Sequence, residues 1–379
     1  MAEVFKDVAS HIPGIDAQHI NLSNGLSTGD RVVRRLLTWR LPSRPGSASS
    51  NLDLMRFRAE LNLGLAAARR IASFERKYKL ELLHFHTQAA AYGSIRRMRR
   101  IPTVISIDAT QQLMSLEAPS EFERRTYQPN ILWDRKIFRA AKAIISASSW
   151  AAQDLARNYP ESAHKVTVIP WPVRVQNFSG DWISERSARA NGRVVFLFMG
   201  NDFQRKGGPE LLQTWRDLKL PNAFLKVATG VNSKVPELPP GVELIRGIQP
   251  HTPEWKRLWM EADVFVLPTK AEALGLVFRE AAAAGLPAIG TLLNAIPELV
   301  IDGETGVLVQ PGDVGALAQA MKTLSESSEL RQRMGARARA RILETGTTEY
   351  YASQFTKVLE CGELFIGTRV PLFSRDHCE

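Results

Sequence analysis

The sequence predicts an α/β protein built from two doubly wound parallel sheets. Short apolar runs alternate with helical patterns along the whole chain, which is typical of consecutive βαβ units. With 379 residues the chain is long enough for two such domains. A polar stretch without periodicity, residues 174–193, follows the turn-forming IPWPV and indicates where they join.

The first half opens in a helix rather than a strand, because Val4, Phe5, Val8 and Ile12 show helical spacing. A doubly wound domain normally starts with a strand, so this start leaves a gap in the expected sheet. The strands that we predict in this half are residues 18–22, 82–86, 103–107, 143–146 and 166–169.

In the second half we predict strands at residues 194–199, 224–228, 242–246, 264–267, 288–289 and 307–309. A last helix over residues 349–359 is expected to bury Tyr350, Phe355 and Leu359. The predicted divisions are an N-terminal domain 1–174, a linker 175–192, a C-terminal domain 193–345, a returning helix 346–365 and a loose tail 366–379. A Pro/Gly/Ser-rich segment at 41–51 is interpreted as a surface loop.

The net charge of +10 lies almost entirely in the first half. Residues 1–175 hold 26 Lys+Arg against 15 Asp+Glu, whereas residues 176–379 hold 23 against 24. The first half therefore either binds an anionic partner or simply has a basic surface. Nucleic acid is disfavoured, because the basic residues are not interleaved with aromatic stacking platforms.

Composition also limits the location and the kind of site. The only cysteines, Cys361 and Cys378, exclude a disulfide framework or a cysteine metal site. The N-terminus carries Glu3 and Asp7 and lacks an apolar signal core, and no run is long enough to span a membrane. We therefore expect a cytoplasmic protein.

The segment from Glu272 to Gly290, EALGLVFREAAAAGLPAIG, is the most informative part of the chain. A helix that starts near Leu276 offers unpaired amides and a positive dipole end, which suit a diphosphate. Glu280, one turn inside that helix, can accept hydrogen bonds from the ribose diol, and Glu272 faces the other end of the ligand. Gly275 lets the backbone approach closely. The order strand, loop, Gly, helix, Gly, Pro favours a sugar nucleotide over a pair of surface carboxylates.

Taken together, these residues resemble the retaining, nucleotide-sugar-dependent glycosyltransferases of the GT-B fold, in particular the family 4-like, group 1 glycosyl transferases. The resemblance covers about residues 80–360 and includes LLHFHT, AIISASS, KVTVIPWPV, VVFLFMGNDFQRKGG and the segment from Asp263 to Leu308. It implies two Rossmann-like domains with the active site in the cleft between them. It also implies sugar transfer from a nucleoside diphosphate to a saccharide or lipid-linked saccharide, in polysaccharide or glycoconjugate biosynthesis.

The resemblance also implies roles for single residues. Arg205 and Lys206 would neutralise the donor diphosphate, with Asn201 standing where relatives often have Arg. Backbone amides of Gly275, Leu276 and Val277 would hold phosphate or sugar hydroxyls. Glu280 would bind the ribose and Glu272 the transferred sugar. Stereochemistry would be retained with no metal and no cofactor, the leaving phosphate helping to deprotonate the acceptor.

On the acceptor side the resemblance is less complete. Asp108 stands where relatives have a histidine near the reacting sugar, and it could instead cap the next helix. His84 and His86 are expected to alternate across their strand, so only His86, nearer the carboxyl end, would reach the ligand; a packed histidine is the alternative. Asn294 and Ala295 replace the usual paired glycines, which restricts the conformations that the backbone can adopt beside the phosphates.

The incomplete acceptor side leaves other functions open. The missing first strand indicates either a true start upstream of Met1 or a shortened, inactive sugar-nucleotide-binding relative. A sugar-nucleotide 2-epimerase of the same fold is a further alternative.

The segment DRVVRRLLTWRLP is a candidate membrane contact. On a helical wheel Arg31, Arg34 and Arg35 share one arc, opposite an apolar arc of Val32, Val33, Leu36, Leu37 and Trp39. Such a helix could lie on an anionic bilayer at the inner face of the cell membrane, as expected for a lipid-linked acceptor. The alternative is a helix packed on its own domain with its arginines in water.

Overall fold

A computed structural model describes residues 2–12, 14–20, 28–37, 54–118, 120–178, 186 and 192–362. These residues divide into two compact units, with boundaries between Pro170 and Trp171 and between Tyr350 and Tyr351. Unit 1 holds the chain up to Pro170 and from Tyr351 onwards, and unit 2 holds the part between.

The described part of unit 1 contains a four-stranded parallel sheet in the order β1-β2-β3-β4. Its strands lie within one or two residues of the positions predicted from residue 82 onwards. They are β1 (Leu83–Phe85), β2 (Thr103–Ile107), β3 (Ala143–Ser146) and β4 (Val166–Val168). The middle strands β2 and β3 are buried along their whole length, which explains why their sequences, TVISI and AIIS, are mostly apolar.

Helices surround this sheet. They are α1 (Ala2–Ser10), α2 (Thr28–Leu37), α3 (Met55–Glu75), α4 (Ile95–Met98), α5 (Gln111–Leu116), α6 (Glu121–Arg125), α7 (Gln128–Ala140) and α8 (Ser149–Asn158). Short 3₁₀ turns lie at Gln88–Ala91, Pro160–Lys165 and Val175–Asn177. The predicted opening helix is confirmed, because α1 buries Val4, Phe5 and Val8.

Three predictions for this unit need correction. Residues 18–20 form no strand, because no described strand pairs with them; residues 21–22 lie outside the described range. His84 and His86 do not alternate: residues two apart on a strand share a face, and their ring centroids lie 4.7 Å apart. In the last helix Tyr351 replaces Tyr350 as the buried residue, because only position 351 continues the four-residue spacing of Phe355 and Leu359.

The described part of unit 2 contains a six-stranded parallel sheet in the order β10-β9-β8-β5-β6-β7. Its strands match all six predictions for the second half. They are β5 (Val194–Gly200), β6 (Ala223–Thr229), β7 (Val242–Arg246), β8 (Val264–Val266), β9 (Ala288–Thr291) and β10 (Gly306–Val309). Strands β6 and β7 follow β5 in order on one side of it. The chain then crosses over, and β8, β9 and β10 follow in order on the other side. The switch point, where ligands bind in such sheets, therefore lies at the carboxyl ends of β5 and β8.

Helices also flank the second sheet. They are α9 (Gly208–Leu218), α10 (Pro253–Glu261), α11 (Leu276–Ala283), α12 (Ile296–Leu299), α13 (Val314–Glu326) and α14 (Ser328–Thr345), and α15 (Thr348–Cys361) crosses the unit boundary. Unit 2 has its own apolar core, in which Phe196, Leu197 and Phe198 of β5 are fully buried.

The predicted loop 41–51 and tail 366–379 lie outside the described residues, as does most of the linker 175–192. In the described part of the chain, no helix combines the length and the apolarity needed to cross a membrane.

Candidate active site

Three loops meet at the switch point of unit 2, and hydrogen bonds join them. The backbone N–H of Lys270 donates to the carbonyl of Arg205 at 3.0 Å. Asn294 Nδ2 donates to the carbonyl of Glu272 at 3.0 Å. The loops follow β5, β8 and β9 and comprise residues 201–207, 267–275 and 292–295. Most of the predicted donor-binding residues therefore belong to one connected structure.

Lys206 and Glu272 form an ion pair at the centre of these loops, with only 12% and 15% of their side chains exposed. The stem of Lys206 packs on Gly200, where an added Cβ would lie 3.0 Å from Lys206 Cγ. Burial, and then the nearby charge of Arg205, lowers the pKa of Lys206 to about 8. At neutral pH the ammonium is still mostly charged, so an anion entering the site would find a cation already in place.

Arg205 lies at the surface of the same loop and is about half exposed. Its Nη1 donates to the carbonyl of Ala271, and its Nε lies 3.4 Å from Asp202 Oδ2. Asn201 lines an open groove of about 440 Å³ between the loops that follow β5 and β6. A role for either residue on a diphosphate stays a prediction.

Helix α11 begins where the sequence predicts, and its first amides have no side-chain cap. Gly275 precedes it with φ +77°, and an added Cβ would lie 2.9 Å from the ring of Phe278. Other helices of this unit are capped, α10 by Thr252 and α13 by Asp313. The positive end of α11, at Leu276, is therefore open to an external acceptor.

Glu280 lies one turn inside α11 and is partly buried. Burial raises the pKa of its carboxyl group to about 7. In the described part of the chain, no group donates a hydrogen bond to this carboxylate. Such a group costs free energy unless a ligand satisfies it, so it is a candidate functional residue.

The loop after β9 makes its turn with Asn294 and Ala295 in place of the paired glycines that the resemblance implies. Asn294 has φ +50°, a left-handed conformation that asparagine tolerates better than most residues. Its side chain holds the backbone of Glu272, as described above. The sequence analysis missed this contribution, although an Asn that follows a strand and precedes a helix is a recognisable turn signal.

The acceptor-side candidates lie in unit 1. The ring of His86 lies 3.3 Å, centroid to centroid, from Phe5 of α1, and burial lowers the pKa of His86 well below its usual value. Asp108 follows β2, and burial raises its pKa although its own amide and that of Ala109 oppose this. Thr110, not Asp108, caps α5, by accepting from Leu113 N at 3.1 Å. Their part in catalysis stays a prediction.

A group of buried polar side chains near Asp108 had no signal in the sequence. Asp134 accepts from the backbone N–H of Gln111 at 2.9 Å and so holds the amino end of α5. Glu60 accepts from Asn130 Nδ2 at 2.6 Å and from the hydroxyl of Tyr92 at 3.1 Å. Burial raises the pKa of both carboxyl groups. These residues are far apart in the sequence and come into contact only in the folded chain, so no local pattern indicates the group.

Acidic, histidine and cysteine side chains of the described residues form no group of three suited to a metal ion. The polar groups at the switch point include the cations of Arg205 and Lys206, the open amides of α11, and the carboxylates of Glu272 and Glu280. This combination suits a ligand that carries both a negative diphosphate and hydroxyl groups.

Two family models match the chain. "Glycosyl transferases group 1" covers residues 181–341 and "Glycosyltransferase Family 4" covers residues 36–177. The N-acetyl-alpha-D-glucosaminyl L-malate synthase of Bacillus anthracis is 32% identical over 36% of this chain and 39% of its own length. The D-inositol 3-phosphate glycosyltransferase of Corynebacterium glutamicum is 27% identical over 69% of this chain and 68% of its own. The chain thus spans well under half of the first relative and about two thirds of the second.

Solved structures share the fold at low sequence identity. Sucrose-phosphate synthase from Thermosynechococcus elongatus gives a TM-score of 0.65 at 20% identity, over 86% of this chain and 81% of that one. An Anabaena protein, HepE, in complex with UDP and glucose gives a TM-score of 0.61 at 17% identity, over 78% and 81%.

Proposed function

Since the chain belongs to the glycosyltransferases of the GT-B fold, with group 1 and family 4 domains, we propose that it transfers a sugar from a nucleoside diphosphate. The acceptor is a saccharide or a lipid-linked saccharide, and the anomeric configuration is retained. The product belongs to a polysaccharide or another glycoconjugate.

The observation that carries this proposal is Glu280, a carboxylate without a described donor at the start of an uncapped helix. The ribose diol would supply the missing donors. The diphosphate would accept from the amides of Leu276 and Val277. In the same proposal Lys206 turns from Glu272 to the diphosphate, which frees Glu272 for hydroxyls of the transferred sugar.

Stabilisation of the departing diphosphate is the main chemical task in this reaction, because charge develops on it as the glycosidic bond breaks. That stabilisation would come from the positive charges of Lys206 and Arg205 and from the positive end of α11. The leaving phosphate then takes the proton of the acceptor hydroxyl, so no further base is required on unit 2.

The test is a thermal-shift panel of UDP-, GDP- and ADP-sugars. One of them should raise the melting temperature, because a ligand at a hundredfold excess over its Kd stabilises the folded state by about 2.7 kcal/mol. Glu280→Ala should abolish the shift, and Arg205→Ala with Lys206→Ala should reduce it. Glu304→Ala, at an exposed position, is the control. If none of the sugars stabilises the wild type, the proposal is wrong.

Product analysis separates transfer from epimerisation. A transferase releases the nucleoside diphosphate and needs an acceptor, whereas a 2-epimerase changes the sugar nucleotide with no acceptor present. If the protein converts the sugar nucleotide into an isomer with no acceptor present, it is an epimerase and not a transferase.

Contact with an anionic membrane belongs to the same proposal and rests on α2. Of its apolar arc, Val32 and Leu36 are 55% and 68% exposed, next to the exposed Arg31 and Arg35. Apolar side chains flanked by arginines suit the interface of an anionic bilayer. Trp39 lies outside the described residues.

Cosedimentation with vesicles tests the membrane contact. We expect binding to phosphatidylglycerol vesicles, little binding to phosphatidylcholine, and loss of binding in Val32→Asp/Leu36→Asp. Leu343→Asp, which changes an exposed leucine of unit 2, should bind like the wild type. Equal binding of all three proteins would exclude α2 as the contact.

A further inference from the structure

The carboxyl end of α11 is held by a guanidinium group from a distant helix. Arg339, on α14, donates through Nη1 to the carbonyl of Ala283, the last residue of α11. Its Nη2 donates to the carbonyl of Phe178 at 3.0 Å. The last carbonyls of a helix have no partner within it and carry the negative end of its dipole. Arg339 therefore satisfies this end of α11 with both charge and hydrogen bonds.

A second arginine completes the same end. Arg186 donates through Nη1 to the carbonyls of Ala284 and Gly285, at 3.0 and 3.3 Å. Its Nη2 donates to the carbonyl of Trp259, in the last turn of α10, at 3.0 Å. Arg186 thus joins α11 to the neighbouring helix. The two arginines thus bind three consecutive carbonyls at the end of α11, those of Ala283, Ala284 and Gly285.

The backbone of α14 also approaches this end closely. A Cβ added to Gly335 would collide with the carbonyl oxygen of Gly285. Only glycine fits at this position, so the contact between α14 and the end of α11 leaves little freedom. The guanidinium of Arg339, one turn further along α14, extends the same contact.

Helix α11 has only eight residues, about two turns, so an orientation imposed at one end is transmitted to the other. Its carboxyl end has strong external partners, whereas its amino end has no capping side chain. The position of the amides of Leu276 and Val277, and of Glu280, therefore depends on what holds the opposite end.

We propose that Arg339, together with Arg186, is a positioning residue for donor binding: it fixes α11 so that the amino end and Glu280 face the diphosphate and the ribose. This inference rests on the proposed function. Neither arginine contacts the donor; each acts through the carbonyls that it binds.

The chain offers a matched control in Arg331. Its Nη1 donates to the carbonyls of Leu324 and Ser325, at 2.7 and 3.1 Å, near the carboxyl end of α13. The amino end of α13 is already capped by Asp313, so this helix presents no open amides. Arg331 therefore has the same chemistry at a helix without a ligand.

The experiment compares Arg339→Ala, Arg339→Gln, Arg339→Lys, Arg186→Ala and Arg331→Ala in the full chain. The melting temperature without ligand and the Kd for UDP, GDP and ADP are measured for each. All the alanine variants should lose some stability. Arg339→Ala and Arg186→Ala should weaken binding of the preferred nucleotide about three- to tenfold, and Arg331→Ala less than twofold. Arg339→Lys should recover part of the affinity, because it keeps the charge.

If Arg339→Ala and Arg331→Ala change the affinity equally, the role of Arg339 is only structural and the inference is wrong. If Arg339→Ala does not fold, Arg339→Gln and Arg186→Ala decide by the same criterion. A wild type that binds none of the three nucleotides overturns the proposed function and this inference together. Binding by the wild type that Glu280→Ala removes and Arg339→Ala leaves unchanged overturns the inference alone.

Discussion

An ionised carboxylate accepts charge-assisted hydrogen bonds on both of its oxygens, whereas protonation turns one oxygen into a donor, so the protonation of Glu280 should control donor binding. Burial raises its pKa to about 7, so its protonation changes around neutral pH. Lys206 has the opposite requirement, because it must be charged to meet a diphosphate and its pKa is lowered to about 8.

We therefore expect the affinity for the preferred nucleotide sugar to be highest between about pH 7 and 8. Below pH 7 the Kd should rise about tenfold per unit, because Glu280 becomes protonated. Above pH 8 it should rise again as Lys206 loses its charge. Isothermal titration calorimetry from pH 6 to 9 measures this profile.

Glu280→Gln is the control for the acid side of that profile. The amide oxygen can still accept hydrogen bonds, but the group carries no charge and does not titrate, so its weaker binding should not change between pH 6 and 7.5. If the wild type and Glu280→Gln lose affinity in parallel below pH 7, the titrating group is not Glu280.

At this scale the sequence predicts residues whose partners lie nearby and misses those whose partners are distant. Glu272, Gly275 and Glu280 belong to one short segment, so their spacing already indicates a helix start with carboxylates around it. Arg339 reaches a carbonyl 56 residues away, and Arg186 reaches one 98 residues away. Nothing in the local pattern of either arginine distinguishes it from a solvated surface cation.

At the scale of the elements, two helices that begin at the switch point are each preceded by a glycine instead of a capping side chain. Gly207 precedes α9 and Gly275 precedes α11, and both have a left-handed backbone, with φ +79° and +77°. Neither helix has a side-chain cap. Glycine thus replaces the usual capping oxygen where the backbone turns sharply at the switch point.

Gly207→Ala should destabilise unit 2 more than left-handed strain alone requires. A Cβ at this position would collide with the carbonyl of Pro268, in the loop that carries Glu272. Gly312→Ala is the control, because Gly312 has φ +83° but no atom within 4 Å of an added Cβ. We expect a loss of about 1–2 kcal/mol for Gly312→Ala and a larger loss for Gly207→Ala. Urea unfolding measures both, and equal losses would show that Pro268 moves freely.

The elements of the two units differ in how well the sequence predicts them. The six strands of unit 2 follow from apolar runs bounded by turn signals, most clearly in β8 and β9, which are buried along their whole length. The error at residues 18–20 has the same origin: an apolar Ile at the end of a polar segment resembles a short strand, and only the absence of a paired neighbour excludes it. Strand pairing is not visible in a single sequence.

At the scale of the whole molecule, the order of the strands decides how far function can be derived. The sheet of unit 2 reverses at β5, and this reversal defines where a ligand lies. The described strands of unit 1 run in sequence order without a reversal, so the position of an acceptor does not follow from them. The proposed donor site therefore rests on the geometry of unit 2, whereas the proposed acceptor rests on the family alone.

The two units also have separate apolar cores, so we expect different perturbations to affect each. In unit 1, His84 donates to or accepts from Ser106 Oγ at 2.7 Å, and burial lowers its pKa to about 4. A histidine whose folded pKa is depressed stabilises the fold above its unfolded value of about 6.5. That stability is lost as the pH falls from about 6.5 to 4.

Acid should therefore destabilise unit 1 through His84, whereas a nucleotide should protect unit 2. Hydrogen exchange at pH 7 and 5 should show faster opening of α1, β1 and α15 at the lower pH. His84→Asn should reduce this pH dependence, while His164→Asn, at an exposed histidine, should keep it. Added nucleotide should slow exchange in residues 201–207 and 268–280 and leave α1 unchanged. If acid opened both units equally, or if His84→Asn kept the full pH dependence, the buried histidine would not be the cause.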